Sequence, residues 1–408
     1  MKTLRSPLIM TELEESVTGR STSLFAPDMA GNEEALFQAY GGKTVLITGA
    51  AGTIAKATIS QILRFHPSKM ILVDTNENGL ADLIRWIRNT QSDRLLPQLE
   101  PRLCDITSPQ FVEMTMDGKE PNFLCNFAAV KHVRSERDPL SLWRMFQVNV
   151  LGTMQVRLLA ERCESERIFS VSTDKAANPV NLMGASKRVM EAVLLQDSQI
   201  PSASARFANV AFSQGSLLDS WINRLERGEP LPVPRDTKRY FLSSEEAGQI
   251  CALVTALLPS EQVAIPTILD GFEIQSLEQT VKSVLDRLGL TPSFITSVNE
   301  AKNSNESWEV ESKEPYVLLT ERDTEGEKSF EEFLERGDSA IEWGMRGLVA
   351  IQPRTIPQEL LFTFIDWLKQ IQSSEAVVPE KDQMINRMFE LLPNFDYMQS
   401  ENKLDNRI

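Results

Sequence analysis

From Gly42 onward the chain alternates short apolar runs with longer stretches whose apolar residues recur every three or four positions. Thr44 to Ile47, Met70 to Val73, Asn122 to Phe127, Ile168 with Phe169 and Val171, and Ala203 to Phe207 are short and rich in β-formers, which predicts buried strands. Arg102 to Ile106 reads as the end of a further strand. Between the strands, three stretches have helical spacing: Ala55 to Phe65, the segment carrying Leu80, Leu83, Ile84 and Ile87, and a long segment opened by Pro139 and running through Asn149 to Cys163. Asn181 is placed to cap another helix, whose apolar positions are Val189, Met190, Val193 and Leu194. This order of strand and helix predicts an α/β fold with a doubly wound parallel sheet.

The ends of the chain break the rhythm. Residues 1–40 are polar and punctuated by Gly and Ser, with a short amphipathic helix around Glu33 to Tyr40, and read as an arm packing on the main domain or on a neighbouring subunit. From Ser213 the spacing loosens: Gly215 to Arg227 is helical, Gly228 to Pro232 is a loop, and Arg235 to Phe241 mixes cations with aromatics, as a substrate-binding lobe would. Val263 to Leu269 returns as a strand, Ser297 to Glu314 is a polar insertion, and Pro357 to Gln370 and Lys381 to Leu392 are amphipathic helices suited to packing or subunit contacts. The expected division is therefore an arm (1–40), a dinucleotide-binding domain (41–212), and a smaller C-terminal lobe with terminal helices (213–408), of which 262–270 rejoins the sheet.

Charge and cysteine usage narrow the classes. With 57 acidic against 42 basic residues the surface is unsuited to nucleic acid or an anionic membrane, so an anionic ligand must be met by a few placed groups. No apolar run reaches membrane-spanning length and Met1 to Leu24 lacks the apolar centre of a signal peptide, so no membrane insertion and a cytoplasmic location are expected. Cys104, Cys125, Cys163 and Cys251 form no C-x-x-C pair and read as reduced thiols, and His66 and His132 are too few for a His-based metal site or relay. No metal is expected.

Candidate chemistry gathers at strand ends. After the first strand, Gly49 permits a tight turn and Gly52 lets backbone approach a pyrophosphate at a helix N-terminus; Ala51, Thr53 and Ile54 share that turn. Asp74 ends the second strand, where a carboxylate accepts the adenosine ribose hydroxyls and repels a 2′-phosphate; Thr75 to Asn78 bring no cation, so NAD is favoured over NADP. Capping of the following helix is compatible with that role. Asp105, next to Ile106, could reach an adenine amino group or cap a helix, and Ala128 and Ala129 are small enough for backbone to lie along a cofactor. Thr173, Asp174 and Lys175 leave one strand end together, and the helix beyond Asn181 places Met183 and Lys187 on one face. A solvated turn and an ordinary polar helix face are the bland alternatives.

In combination these residues resemble the extended short-chain dehydrogenase/reductases, Rossmann-fold proteins, and among them the polysaccharide-biosynthesis nucleotide-sugar 4,6-dehydratases that act on UDP-N-acetylglucosamine. The motifs are T-G-A-A-G-T-I from Thr48, N-F-A-A-V-K-H-V from Asn126, N-V-L-G-T from Asn149, S-T-D-K-A-A-N-P-V-N-L-M-G-A-S-K-R from Ser172, R-F-A-N-V from Arg206 and R-Y-F from Arg239. The resemblance runs from about Gly42 to Ala247, with weaker echoes in the arm, in Gly326-Glu327-Lys328 and in the last helix. Met183 stands where most of the superfamily has Tyr, as in the longer dehydratases. Ala208 replaces a usual Gly, Pro234-Arg235-Asp236 replaces His-Pro-Asp, and the Arg-Pro expected before Gly326 is missing, with Arg322 set further back. These departures bear on the sugar more than on the chemistry.

The resemblance implies a redox-neutral reaction on a UDP-sugar: oxidation at C4, proton removal at C5, loss of the C6 hydroxyl and hydride return to C6. It implies Asp174 as the acid and Lys175 as the C5 base. Lys187 would bind the nicotinamide ribose and bias O4 toward alkoxide. Because the Met183 thioether moves no proton, Thr173 would relay the O4 proton. Asn209 and Arg239 are the candidates for the substrate diphosphate; Lys131 could also face it or be a solvated surface lysine. A homo-oligomer is expected. An epimerase of the same superfamily and a non-catalytic NAD-binding scaffold are the rival readings.

Overall fold

In the computed structural model, which describes residues 4–90, 96–114, 121–267, 272–297, 314–321, 331–335, 337–373 and 378–397, the apolar runs become the strands of one large sheet. Helices α1 (Pro7–Thr18), α2 (Ala26–Gly31) and α3 (Glu33–Tyr40) precede β1 (Thr44–Thr48). Then come α4 (Thr53–Ile62), β2 (Lys69–Asp74), α5 (Glu77–Thr90), β3 (Gln98–Leu103), α6 (Gln110–Met114), β4 (Phe123–Asn126), α7 (Pro139–Phe146), α8 (Thr153–Arg162), β5 (Arg167–Val171), α9 (Leu182–Leu195) and β6 (Ser202–Ala205). Beyond these lie β7 (Asn209–Val210), α10 (Leu217–Arg227), β8 (Leu231–Pro234), β9 (Lys238–Leu242), α11 (Ser244–Leu257), β10 (Gln262–Pro266), β11 (Ile274–Ser276), α12 (Leu277–Arg287), β12 (Ser293–Ile295), β13 (Tyr316–Thr320) and β14 (Leu348–Ile351).

The eight-stranded sheet has the order β14-β10-β6-β5-β4-β1-β2-β3 and is parallel except for β14, which pairs antiparallel with β10. Helices cover both faces, so the inner strands are buried along their length; β1 and β4 are buried at every position. Edge strand β3 instead shows Gln98, Pro101, Arg102 and Leu103 to water, and it stops at Leu103, short of the expected strand end at Ile106.

Helix α4 opens at Thr53, two residues earlier than the apolar pattern indicates, because Gly52 supplies the cap position. The long helix opened by Pro139 is continuous but carries one wide turn over Gln147–Gly152, with Asn149 inside it. The expected loop at 228–232 gives way to β8 at Leu231, one strand of the small sheet β12-β13-β8; a second small sheet has the order β11-β9-β7. Of the returning strand, Gln262–Pro266 is observed, while Ile268 and Leu269, most of the 297–314 insertion, Arg322 and Gly326-Glu327-Lys328 lie outside the described residues.

The arm packs on its own chain. Leu13 and Val17 of α1 join Trp221, Val281 and Leu285, Arg20 bonds both Glu246 oxygens at 2.9 and 2.7 Å, and Tyr40 Oη donates to Ala252 O at 2.7 Å. The terminal helix pair, Gln358–Ser373 and Lys381–Leu391, packs on the dinucleotide-binding side: Phe364, Leu368, Met384 and Met388 cluster with Phe146, Leu182 and Val189. Covered by the sheet on one side and this pair on the other, α9 is buried at all fourteen positions, including Lys187, Arg188 and Glu191. No helix among the described residues is long and apolar enough to cross a membrane.

Candidate active site

The carboxyl ends of β1, β2, β4 and β5 open into a cleft of about 1030 Å³. At its floor Gly49 has φ +63°, and a Cβ there would sit 2.7 Å from Ala128 N, so the first turn needs glycine both for its backbone and for its closeness to the β4 end. Gly52 caps α4 without a side chain, and the helix N-terminus faces the cleft with Thr53 and Ile54. Ala51 and Asp74 meet there: the Ala51 N–H donates to Asp74 Oδ2 at 2.9 Å, and Asn76 N donates to Oδ1 at 2.9 Å. Capping of α5 falls to Asn76, whose Oδ1 accepts Gly79 N at 3.0 Å. The helix-cap alternative for Asp74 is thereby set aside, and its carboxylate is oriented on the cleft wall.

Asp105, Ile106, Ala128 and Ala129 line the same wall. Asp105 Oδ1 accepts Thr107 N and Oγ1 at 2.9 and 2.8 Å, and Oδ2 pairs with Arg144. Burial raises the Asp105 carboxyl, but the Thr107 bonds and the Arg144 guanidinium outweigh it and hold it below its ordinary value. Lys131 also lines the cleft, with Nζ donating to Gln214 O at 2.8 Å, while Gln214 N donates to Thr53 Oγ1 at 3.0 Å; the 213–217 loop is thus strapped to both sides of the mouth.

The central stretch delivers its chemistry to the other end. Thr173 Oγ1 donates to Asp174 Oδ1 at 2.7 Å, and Lys175 Nζ donates to both Asp174 oxygens at 3.2 and 3.3 Å. The Asp174 side chain is 6% exposed and that of Lys175 36%, so the acid sits inside and the amine at the rim. Asn181 does cap α9, accepting Gly184 N at 2.8 Å, and Met183 and Lys187 face the cleft. Lys187 Nζ donates to Val171 O at 3.0 Å, and burial pushes its ammonium down to about 8 against the opposing Glu191 carboxylate. The bland readings, a solvated turn and a polar helix face, do not survive this burial.

Asn209 lines the cleft; Arg239 is not among its lining residues and lies behind Asn209, its Nε 3.3 Å from Glu331 Oε1. Several residues of the site were assigned no role in the sequence. Glu136 is buried and accepts Met183 N at 2.7 Å. Asn149 accepts Val130 N at 3.0 Å and donates to Val130 O at 3.0 Å and Ser186 Oγ at 2.9 Å, tying the β4 end to α9 beside Lys187. Glu191, buried behind the site, accepts Ser172 Oγ at 2.6 Å and is paired with Arg206. Arg206 carried a usable signal, since an arginine opening R-F-A-N-V after an apolar strand demands a buried acid. Glu136 and Glu331 sit in charge-rich stretches that read as solvated.

The family described as Polysaccharide biosynthesis protein matches residues 45–353 of this chain. Capsular polysaccharide biosynthesis protein CapD of Staphylococcus aureus is 32% identical over 229 residues, 55% of this chain and 37% of that protein. A UDP-glucose 4-epimerase of Rickettsia rickettsii is 28% identical over 212 residues, 50% of this chain and 59% of that protein. The chain spans less than two thirds of the length of either relative. DesIV of Streptomyces venezuelae, a dTDP-glucose 4,6-dehydratase solved with NAD, matches with TM-score 0.55 at 20% identity, covering 74% of this chain and 91% of that one. That likeness shows the fold, a Rossmann-type mostly parallel sheet.

Proposed function

We propose, on the premise that the chain belongs to the polysaccharide biosynthesis protein family, that it is an NAD-dependent nucleotide-sugar 4,6-dehydratase. The substrate we assign is UDP-N-acetylglucosamine or a related UDP-sugar, and the product is the 4-keto-6-deoxy sugar nucleotide. The observation that carries this reading is the hydrogen-bonded trio Thr173, Asp174 and Lys175 facing one cleft with Lys187. The relative named as a UDP-glucose 4-epimerase supports a nucleotide sugar as ligand.

The cleft fits a dinucleotide: a cradle that a Cβ at Gly49 would fill, a helix N-terminus without side-chain cap, and an oriented Asp74. Gly49, Ala51, Gly52, Thr53 and Ile54 would hold its pyrophosphate, Asp74 its adenosine ribose, Asp105, Ile106, Ala128 and Ala129 its flanks, and Lys187 its nicotinamide ribose. When bound, it supplies reversible hydride acceptance, outward at C4 and back at C6.

Proton traffic belongs to the protein. Thr173 already donates its own hydrogen to Asp174, so its oxygen is left to accept from O4–H, and the O4 proton reaches Asp174 through the hydroxyl. Asp174 then holds the proton that expels the C6 hydroxyl as water. Lys175, at the rim with solvent beside it, takes the C5 proton and later returns it. Met183 fills apolar volume. A cytoplasmic homo-oligomer completes the proposal, and light scattering on purified protein tests the assembly.

Epimerisation is the second reading, favoured by the 4-epimerase relative. Incubation with UDP-, GDP- and dTDP-sugars followed by mass spectrometry separates the two, since dehydration removes one water and epimerisation leaves the mass unchanged.

A further inference from the structure

Asn209 Nδ2 donates to Glu331 Oε1 at 2.7 Å and to Tyr240 O at 3.3 Å. A primary amide has two N–H groups, so both are engaged by the chain itself, and the carbonyl Oδ1 is what remains for a ligand. The opposite orientation would set that oxygen against a carboxylate and a carbonyl, so the partners dictate which way the amide points. Glu331 is in turn held: Tyr240 N donates to its Oε2 at 3.2 Å, Arg239 Nε lies 3.3 Å from Oε1, and its side chain is 3% exposed. Burial raises the Glu331 carboxyl and Arg239 lowers it, with Asp174 and Lys175 acting on it further, and Asn209 lines the same cleft as those two residues.

We propose that Asn209, oriented by Glu331, reads a hydrogen-bond donor on the substrate's sugar, a ring hydroxyl or an acetamido N–H, and does not hold the diphosphate. Diphosphate oxygens only accept, and an Oδ1 facing them would repel. This inference rests on the nucleotide-sugar reading above and changes the role expected for Asn209 within it. Glu331 is a positioning residue: it touches no substrate atom and acts by fixing the amide. Glu331→Gln can donate an N–H to Asn209, which permits the amide to turn over and offer its own donors to the cleft.

Equilibrium binding of UDP-N-acetylglucosamine, UDP-glucose and UDP, measured on protein loaded with NADH so that no hydride acceptor is present and the sugar is not oxidised, tests the assignment. Asn209→Ala is expected to weaken both sugar nucleotides on the order of tenfold, the loss of one hydrogen bond, and to leave UDP unchanged. A larger loss for UDP-N-acetylglucosamine than for UDP-glucose assigns the acetamido group as the donor; equal losses assign a hydroxyl. Glu331→Gln is expected to weaken the sugar nucleotides with no loss for UDP, and unfolding curves of both variants confirm that each is folded. Equal weakening of UDP and the sugar nucleotides in folded variants overturns the inference and leaves the proposed function standing. If the NADH-loaded protein with its native site binds none of the three, both fall.

Discussion

Thr173 donates its hydroxyl hydrogen to Asp174 Oδ1 at 2.7 Å, and this bond turns the threonine into an acceptor toward the cleft. Met183, which lines the same cleft, offers only a thioether and moves no proton. Met183→Leu, which conserves volume and apolarity, is therefore expected to keep most turnover, whereas Thr173→Val, which keeps shape but removes the hydroxyl, loses about 10²–10⁴-fold in kcat. A folded but inactive Met183→Leu protein would contradict this division of labour.

Asp74 accepts backbone hydrogens from Ala51 and Asn76 and has no neighbouring cation in Thr75 to Asn78. A 2′-phosphate would meet that carboxylate uncompensated, so the protein is expected to bind NAD more tightly than NADP. Asp74→Ala is expected to reduce the preference on the order of tenfold. Titration by fluorescence checks it, and equal affinity of the unmodified protein for both dinucleotides would overturn the assignment.

Burial of Lys187 has a measurable consequence for stability. Its ammonium is pushed down from 10.5 to about 8, so between those values the unfolded chain holds a proton that the folded chain does not. Stability from this group therefore rises with pH across that window, while below it both states are protonated and the folded state bears the whole cost of the buried charge. Lys187→Met has no such dependence. The unfolding free energy of the unmodified protein relative to Lys187→Met is expected to climb on the order of 3 kcal/mol from about pH 8 to pH 10.5. A flat difference in urea titrations across that range would refute the burial argument.

Much of this arrangement was legible in the chain because its signals are local. β1, β2 and β5 are covered by helices on both faces, so their apolar runs are uninterrupted, and the glycine turn and the Thr173-Asp174-Lys175 strand end each occupy a few consecutive residues. β3 was read only near its end because its edge position leaves Gln98 and Arg102 in water and Glu100 half-buried. The four residues of β14 have no periodicity of their own, and they become a strand because β10 offers an edge. Likewise Arg188 read as a polar-face residue of α9 and Glu191 was given no role; only the terminal helix pair and the sheet, both distant in sequence, bury them. The partner of Asn209 and Arg239 was illegible for the same reason, since Glu331 stands in an acidic stretch far along the chain.

Arg206 and Glu191 are paired without exposure, Nη2 to Oε2 at 2.7 Å and Nε to Oε1 at 2.8 Å, with Glu335 Oε1 3.5 Å from Arg206 and 3.0 Å from Arg188 Nε. Removing Glu191 takes from the buried Arg206 its bidentate partner and leaves it the longer contact to Glu335. Glu191→Ala is expected to cost about 3–5 kcal/mol of unfolding free energy, and the paired change Glu191→Leu with Arg206→Met considerably less, because both charges leave together. Denaturant unfolding measures both, and a double variant less stable than Glu191→Ala would show that the pair contributes more than mutual compensation.

The last prediction separates the two proton transfers of the proposed elimination. Lys175 at the rim takes the C5 proton and Asp174 inside delivers one to the C6 oxygen, so the two variants should stall at different points although their side chains touch. Lys175→Met removes the base: C4 is still oxidised, but solvent deuterium does not enter C5 and no water leaves. Asp174→Asn removes the acid while keeping an acceptor for the Thr173 hydroxyl, so C5 exchanges with solvent while water loss slows by about 10²–10⁴-fold. Quenched reactions in deuterium oxide, read by mass spectrometry and proton spectra of the sugar, follow both events at once. Undiminished exchange in Lys175→Met would remove it as the base, and rapid water loss in Asp174→Asn would remove Asp174 as the acid. An unmodified protein that inverts C4 and never loses water would transfer the chemistry to an epimerase, for which Asp174 has no leaving group to protonate.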